Sequence, residues 1–186
     1  MPRSLRSSGR HALEHGRRVY LRHPRQTDRD EFLRLVDLSR DLHRPWVYAP
    51  ETPREFAAYL GRSASASERC FLVVRRSDDA LAGVYNVSQI ARGFFESAYL
   101  GYYAFAPTAG EGLMAEGLDL VLRHCFRKLK LHRLEANIQP DNERSKRLVE
   151  RAGFRYEGYS PRYLKIGGRW RDHERWAITR EDWAAR

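Results

Sequence analysis

The sequence predicts an α/β (α+β) chain, a mixed sheet of parallel and antiparallel strands with helices on both faces. Three observations carry this. Short β-prone runs alternate with segments whose apolar residues recur every three to four positions. The polar turn Ser77-Asp78-Asp79 joins two adjacent strand-like runs, and Gly167-Gly168 joins two more, so antiparallel hairpins occur in both halves. A long amphipathic segment separates the two β-like runs in the middle of the chain, which puts helix and strand in one layered unit.

The elements follow in order. Residues 18–23 (RVYLRH) alternate and open the fold as a strand. Thr27-Asp28 can cap a helix reaching Leu38, with Phe32, Leu35, Val36 and Leu38 as its apolar stripe. Residues 41–50, with two prolines, Trp46 and Tyr48, read as a loop. Thr52-Pro53-Arg54-Glu55 is a capping box with proline at the first helical position, opening a helix to about Arg62. Residues 69–76 and 81–90 form the first hairpin, residues 91–95 a loop, and residues 96–105 the next strand. From Gly112 to Leu129, Met114, Leu118, Val121, Leu122, Cys125 and Leu129 share one helical face. A strand at 133–139, a short helix at 147–151, and strands at 154–166 and 169–179 complete the order β-α-α-β-β-β-α-β-α-β-β.

With 186 residues the chain suits one domain with a full core. No apolar run approaches the ~20 residues that span a bilayer, and no apolar segment near the N-terminus suggests export. Cys70 and Cys125 fall in apolar patterns, as buried free thiols of a reducing cytoplasm do. Neither the histidines nor the carboxylates have metal-ligand spacing, so no metal is expected. Net charge is +10, and residues 1–18 hold five arginines against Glu14, a local +4. Residues 1–17 are therefore expected as a basic flexible tail, able to rest on an anionic surface such as RNA, ahead of a single domain at 18–186.

The chemistry concentrates at residues 99–116, YLGYYAFAPTAGEGLMAE. An apolar strand passes through Ala-Pro-Thr-Ala into Gly110-Glu111-Gly112 and then a helix. A glycine loop at a helix start leaves backbone N–H groups unpaired and adds the positive end of the helix dipole, which suits a phosphate or pyrophosphate. Asn142 lies before the short helix with Ser145 in its first turn, a pattern that also suits plain capping.

The succession of strand, Gly110-x-Gly112-Leu113-Met114, helix, His132-Arg133 strand, Asn142-x-x-Ser145, Gly153-Phe154 and Trp170-Arg-Asp-His173 resembles the GNAT acyl-CoA-dependent N-acetyltransferases, most closely their RimJ/RimL branch, which acetylates ribosomal-protein N-termini. The resemblance is best over residues 101–176 and extends to Tyr20-Leu-Arg22 and Asp28. It implies a GNAT fold, whose two central parallel strands, here 96–105 and 133–139, splay apart so that pantetheine can bind between them as a pseudo-strand. It further implies that acetyl-CoA is the co-substrate. The backbone of Tyr103, Ala104 and Phe105 would meet pantetheine, the amides of Gly110, Glu111, Gly112, Leu113 and Met114 the pyrophosphate, and Asn142 and Ser145 the arm and sulfur. The family's Gln, Arg or Lys three residues before the first glycine is replaced by Pro107, which removes a side-chain phosphate contact.

Acetyl transfer needs a neutral amine, oxyanion donors and a proton for the leaving thiolate. Glu135, on the second splayed strand, is the expected general base, with Glu96 as the alternative. Ser145 or Tyr159 is the expected proton donor. Trp46, Tyr48, Phe94, Phe95 and Tyr163 could line an acceptor channel, but such aromatics are more often core or hairpin packing, and they are not counted as site residues. The acceptor expected is a primary amine, most of all a protein N-terminus, with the basic tail contacting a ribosome or RNA-rich particle. Two rivals are a small-molecule amine acceptor (amino acid, polyamine or antibiotic) and a non-catalytic CoA-binding module.

Overall fold

A computed structural model describes residues 11–186. Its elements are β1 (Glu14–His15), β2 (Val19–Arg22), α1 (Arg29–Leu38), α2 (Arg40–His43), α3 (Pro53–Ser63), β3 (Arg69–Arg75), β4 (Leu81–Ala91), β5 (Ser97–Ala104), α4 (Leu113–Arg127), β6 (Arg133–Ile138), α5 (Glu143–Arg151), β7 (Arg155–Ile166), β8 (Arg169–Thr179) and α6 (Arg180–Ala184). The eight strands form one sheet in the order β1-β2-β3-β4-β5-β6-β8-β7. The β5–β6 pair is parallel and every other neighbouring pair is antiparallel.

Each face of the sheet buries its own core. On one face α4 sets Leu118, Val121, Leu122 and Cys125 against Phe71, Val73, Tyr85, Leu134 and Ala136, all of them at 0 % exposure. The helix lies close there because Gly117 has no side chain: a Cβ would sit 2.8 Å from Val73 Cγ2. On the other face α1 and α3 bring Phe32, Phe56 and Tyr59 onto Leu72, Val84, Tyr103 and Phe105. Phe32 meets Phe105 edge to face, with ring centroids 5.6 Å apart. Burying each such side chain is worth about 1.5–3 kcal/mol. The expected capping box at Thr52 is present, with Glu55 N–H donating to Thr52 Oγ1 at 3.2 Å.

Several expectations change. Leu38 ends α1 facing solvent, so the stripe stops at Val36. Asp28 does not cap α1; it bonds the N–H of Arg25 and takes both terminal nitrogens of Arg22 at 2.7 and 2.8 Å. The expected loop at 41–50 begins inside α2. The short helix starts at Glu143, four residues before the expected start, because Asn142 caps it. The helix α6 was not expected, although Thr179-x-x-Asp182 forms a capping box at its start.

Of the expected tail, residues 1–10 lie outside the described residues. The rest of it includes β1, which pairs with β2 through Glu14↔Leu21 and His15↔Tyr20. Glu14 is buried and accepts from Arg123 Nε at 2.7 Å. Arg18 N–H and Nε hold the Glu116 carboxylate of α4 at 2.7 and 3.1 Å. These contacts depend on α4 lying beside the start of the sheet.

Candidate active site

The sheet opens where β5 and β6 part. They pair through Ser97↔Arg133, Ala98↔Leu134 and Tyr99↔Glu135, while β5 continues along β4 as far as Ala104↔Gly83. From Leu100 onward the β6 side of β5 is therefore an open edge within the sheet. Phe105 N–H donates to Ala82 O of β4 at 2.9 Å. Because the direction of backbone groups alternates along a strand, Tyr103 turns toward β4, and Tyr102 and Ala104 turn toward the gap. Of the three residues expected to meet pantetheine, only Ala104 thus offers its backbone, and Tyr102 joins it. Tyr103 and Phe105 instead place buried side chains in the α1–α3 core. The Ala104 carbonyl already accepts from His43 Nε2 at 2.8 Å. A carbonyl can only accept, so His43 holds its proton on Nε2.

The glycine loop follows a tight turn at Ala106–Thr108. Buried Ser39 fixes this turn by accepting from Ala106 N–H at 2.8 Å while donating to Leu35 O. Gly110 and Gly112 have φ of 87° and 76°, which glycine adopts without strain. Among the described residues, no acceptor takes the N–H groups of Gly110, Gly112, Leu113 or Met114. A Cβ on Gly110 would meet nothing within 4 Å. A row of free donors beside open space at the start of a 15-residue helix fits a pyrophosphate. Glu111 differs: its N–H donates to Thr108 O at 3.5 Å, its side chain turns to Arg75 at 2.9 Å and its carbonyl accepts from Arg18. Arg18 Nη2 would lie 3.3 Å from a Cβ on Gly112, so a guanidinium stands beside the loop although Pro107 supplies no side-chain donor.

Across the gap α5 begins at Asn142, whose Oδ1 accepts from Ser145 N–H at 3.2 Å. Asn142 thus caps the helix. Ser145 Oγ contacts the hydroxyl of Tyr102, which also donates to Ser145 O at 3.1 Å. Burial pushes the Tyr102 phenol well above its usual range. Sequence reasoning missed Tyr102 because nothing local ties β5 to a helix 43 residues on. Tyr159, the alternative proton donor, lies elsewhere: it is exposed and bonds Asp172 across the β7–β8 hairpin.

On the opposite face of the sheet, Glu135 lies directly across from Tyr99, where the two strands part. Its Oε2 accepts from Arg133 Nη2 at 2.8 Å, and Arg133 also takes Glu157 at 2.9 and 2.6 Å. Tyr99 and Tyr163 hydroxyls meet at 3.4 Å, which pushes Tyr163 up to about 12. The alternative base Glu96 precedes β5, where its carbonyl accepts from His132 and Arg133 N–H. Residues 44–50 bridge this face. Trp46 O accepts from Gln139 at 3.4 Å, and Tyr48 fills the space a Cβ would need at Gly167 of the hairpin tip. Phe94 and Phe95 are exposed on the β4–β5 loop.

Burial lowers the proton affinity of His43, His124 and His173. A histidine whose folded-state pKa lies below its unfolded value of about 6.5 stabilises the fold fully above that pH, and the contribution is lost as pH falls toward the lower folded value. The melting temperature is thus expected to be lower at pH 5.5 than at pH 7.5. Scanning calorimetry checks this, and a melting temperature that rises on acidification contradicts it.

Among the described residues, no helix is long and apolar enough to cross a membrane, and no group of three His, Cys, Asp or Glu side chains could hold a metal. The family profile "Acetyltransferase (GNAT) domain" matches residues 18–155. The [Ribosomal protein uS5]-alanine N-acetyltransferase of Escherichia coli (strain K12) is 45% identical over 167 residues, covering 84% of this chain and 86% of that protein. Among solved structures, Mycobacterium smegmatis RimJ in complex with CoA-disulfide superposes with a TM-score of 0.81 at 29% identity, over 88% of this chain and 83% of the other. Spermidine N-acetyltransferase from Vibrio cholerae, in complex with CoA and spermine, shares the fold with a TM-score of 0.77 at 21% identity, over 90% and 98% of the chains. The splayed strands, the free amides of the glycine loop and these matches lead to one conclusion: the chain belongs to the GNAT acetyltransferase family, and it is an N-acetyltransferase that draws its acetyl group from acetyl-CoA.

Proposed function

We propose that this enzyme acetylates the N-terminal α-amine of a protein, of the ribosomal-protein type. The 45% identity to a uS5-alanine N-acetyltransferase over most of both chains carries this reading. In it the N–H groups of Gly110, Gly112, Leu113 and Met114 hold the pyrophosphate, and the open edge of Tyr102 and Ala104 takes the pantetheine amides. Asn142 orients the first turn of α5, and Ser145, tied to Tyr102, stands at the thiol end as the proton donor. Glu135 takes the ammonium proton of the acceptor, directly or through water. The acceptor enters on the face bridged by residues 44–50, opposite α4.

A direct assay decides the acceptor. The purified enzyme with acetyl-CoA is offered a peptide with the N-terminal sequence of the host's uS5, the same peptide with a blocked α-amine, and spermidine. Mass spectrometry is expected to show one acetyl group on the free α-amine alone. Faster transfer to spermidine would replace this reading with a polyamine acceptor.

The docking role proposed for the basic tail is confined to residues 1–10, with Arg3, Arg6 and Arg10 and no acid, because Glu14 and Arg18 have partners in the fold. Removing residues 1–10 is expected to leave turnover of a short peptide unchanged. It should weaken binding to ribosomes at low salt and reduce the steepness of log K against log salt by about 2–3. Ribosome binding that is unchanged at low salt would leave these arginines without that role.

A further inference from the structure

Arg175 on β8 is directly opposite Asn137 on β6 and opposite Gly158 on β7, on the same face as Glu135. Its guanidinium lies over Gly158, where a Cβ would come within 3.0 Å of Nη2. Among the described residues, the Arg175 side chain makes no hydrogen bond or ion pair, although its charge helps to lower the proton affinity of Glu157. The two carboxylates of this face, Glu135 and Glu157, are both claimed by Arg133. Arg175 Nε and Asn137 Oδ1 are both shut away from solvent without a partner. Buried donors and acceptors left unmatched within a protein cost stability, and an unmatched donor and acceptor on directly opposed residues point to a ligand that completes them.

The missing partner must offer an acceptor to a guanidinium and a donor to an amide oxygen. A peptide group offers both, in its C=O and its N–H. A polyamine offers only donors, and its cationic nitrogens would be repelled by Arg175. Asn137 is two residues beyond Glu135 on the same face of β6, about 7 Å along the strand. That is the reach of one or two residues of an extended chain whose terminal amine lies at Glu135.

We infer that Arg175 and Asn137 form a subsite for the first peptide group of the acceptor, Arg175 binding its carbonyl and Asn137 its N–H, and that this subsite selects peptidyl amines over polyamines. The inference rests on the proposed protein N-terminal acceptor and names the residues that enforce it. A polyamine bound here would leave the Arg175 guanidinium without an acceptor and beside like charge, and specificity of this kind comes from such unmet groups as much as from good contacts.

The test is steady-state kinetics of the full chain with acetyl-CoA, using an amidated tripeptide with a free α-amine and, separately, spermidine. Arg175→Ala is expected to raise KM for the tripeptide about 10- to 100-fold, the usual worth of a hydrogen bond to a charged group. The KM for acetyl-CoA should stay within about twofold, since Arg175 is on the face opposite α4 and α5. The preference for tripeptide over spermidine should fall by the same factor as the tripeptide kcat/KM. Arg175→Lys keeps the charge and most of the stem, and it should recover only part of the loss; it also serves if the alanine variant does not fold. Asn137→Leu should weaken the tripeptide and leave spermidine turnover no lower. If the wild type acetylates tripeptides and both Arg175 variants do so with unchanged KM, the subsite assignment falls and the acceptor reading stands. If the wild type acetylates spermidine and no peptide, the acceptor reading falls, and this inference with it.

Discussion

Glu135→Gln is expected to lower kcat on the order of 10²–10⁴-fold, the range general base catalysis supplies, with little change in KM for acetyl-CoA. The change is nearly isosteric and removes only the charge. Arg133 would keep its two bonds to Glu157, so the strand and its neighbours should hold. Glu135 is favoured over Glu96 by position. It lies at the last paired residue before the strands part, whereas Glu96 precedes the strand at the base of the crossover. The Arg133 guanidinium beside Glu135 gives it a fixed orientation toward the acceptor face. A profile of kcat from pH 6 to 9 is the measurement. The variant should lose its rate at every pH, because an amide cannot take the ammonium proton. Near wild-type turnover across that range would remove Glu135 from the mechanism and pass the role to Glu96 or to water.

Gly112→Asp should weaken acetyl-CoA binding on the order of 10²-fold or more. The loop offers the free N–H groups of Gly110, Gly112, Leu113 and Met114 beside the positive end of α4. A carboxylate placed there opposes a pyrophosphate at short range, where two unit charges about 4 Å apart interact by about 4 kcal/mol at a protein surface. The φ of 76° adds backbone strain for any side chain, so Gly112→Ala is the control that carries strain without charge. Isothermal calorimetry should show a modest loss for alanine and a far larger one for aspartate. Equal affinity in the wild type and the aspartate variant would show that the pyrophosphate does not sit on this loop.

The two residues differ in how they could be read. The glycine loop was legible because its signal is local: a strand, two glycines and a helix start within about twenty positions dictate free amides whatever the rest of the chain does. Asn142 was legible for the same reason, since a cap and its helix are neighbours. The partners that set the chemistry were not. Arg133 holding Glu135, Tyr102 meeting Ser145, and Arg175 left without an ion pair all follow from which strand lies beside which, and from a register no local pattern encodes.

The expectation for pantetheine makes the same point on a smaller scale. The sequence marks the strand, but the choice among Tyr103, Ala104 and Phe105 depends on which edge each residue faces. The bond from Phe105 N–H to Ala82 O fixes that choice. A shift of one residue exchanges every inward and outward group on a strand, so parity cannot be taken from β propensity.

By itself, the sequence determined the succession of the longer strands and helices (β2 to β8 with α1, α3, α4 and α5), the buried face of α4, the capping box at Thr52 and the glycine cradle, since each arises from neighbours a few positions apart. Only the tertiary structure decided that Glu14 to Arg18 belong to the sheet and to α4, that Leu38 faces solvent, and that Tyr102 reaches Ser145 across the gap. The physical reason is range: hydrophobic periodicity and turn chemistry act along the chain, whereas ion pairing and burial depend on elements that meet only once the sheet has formed.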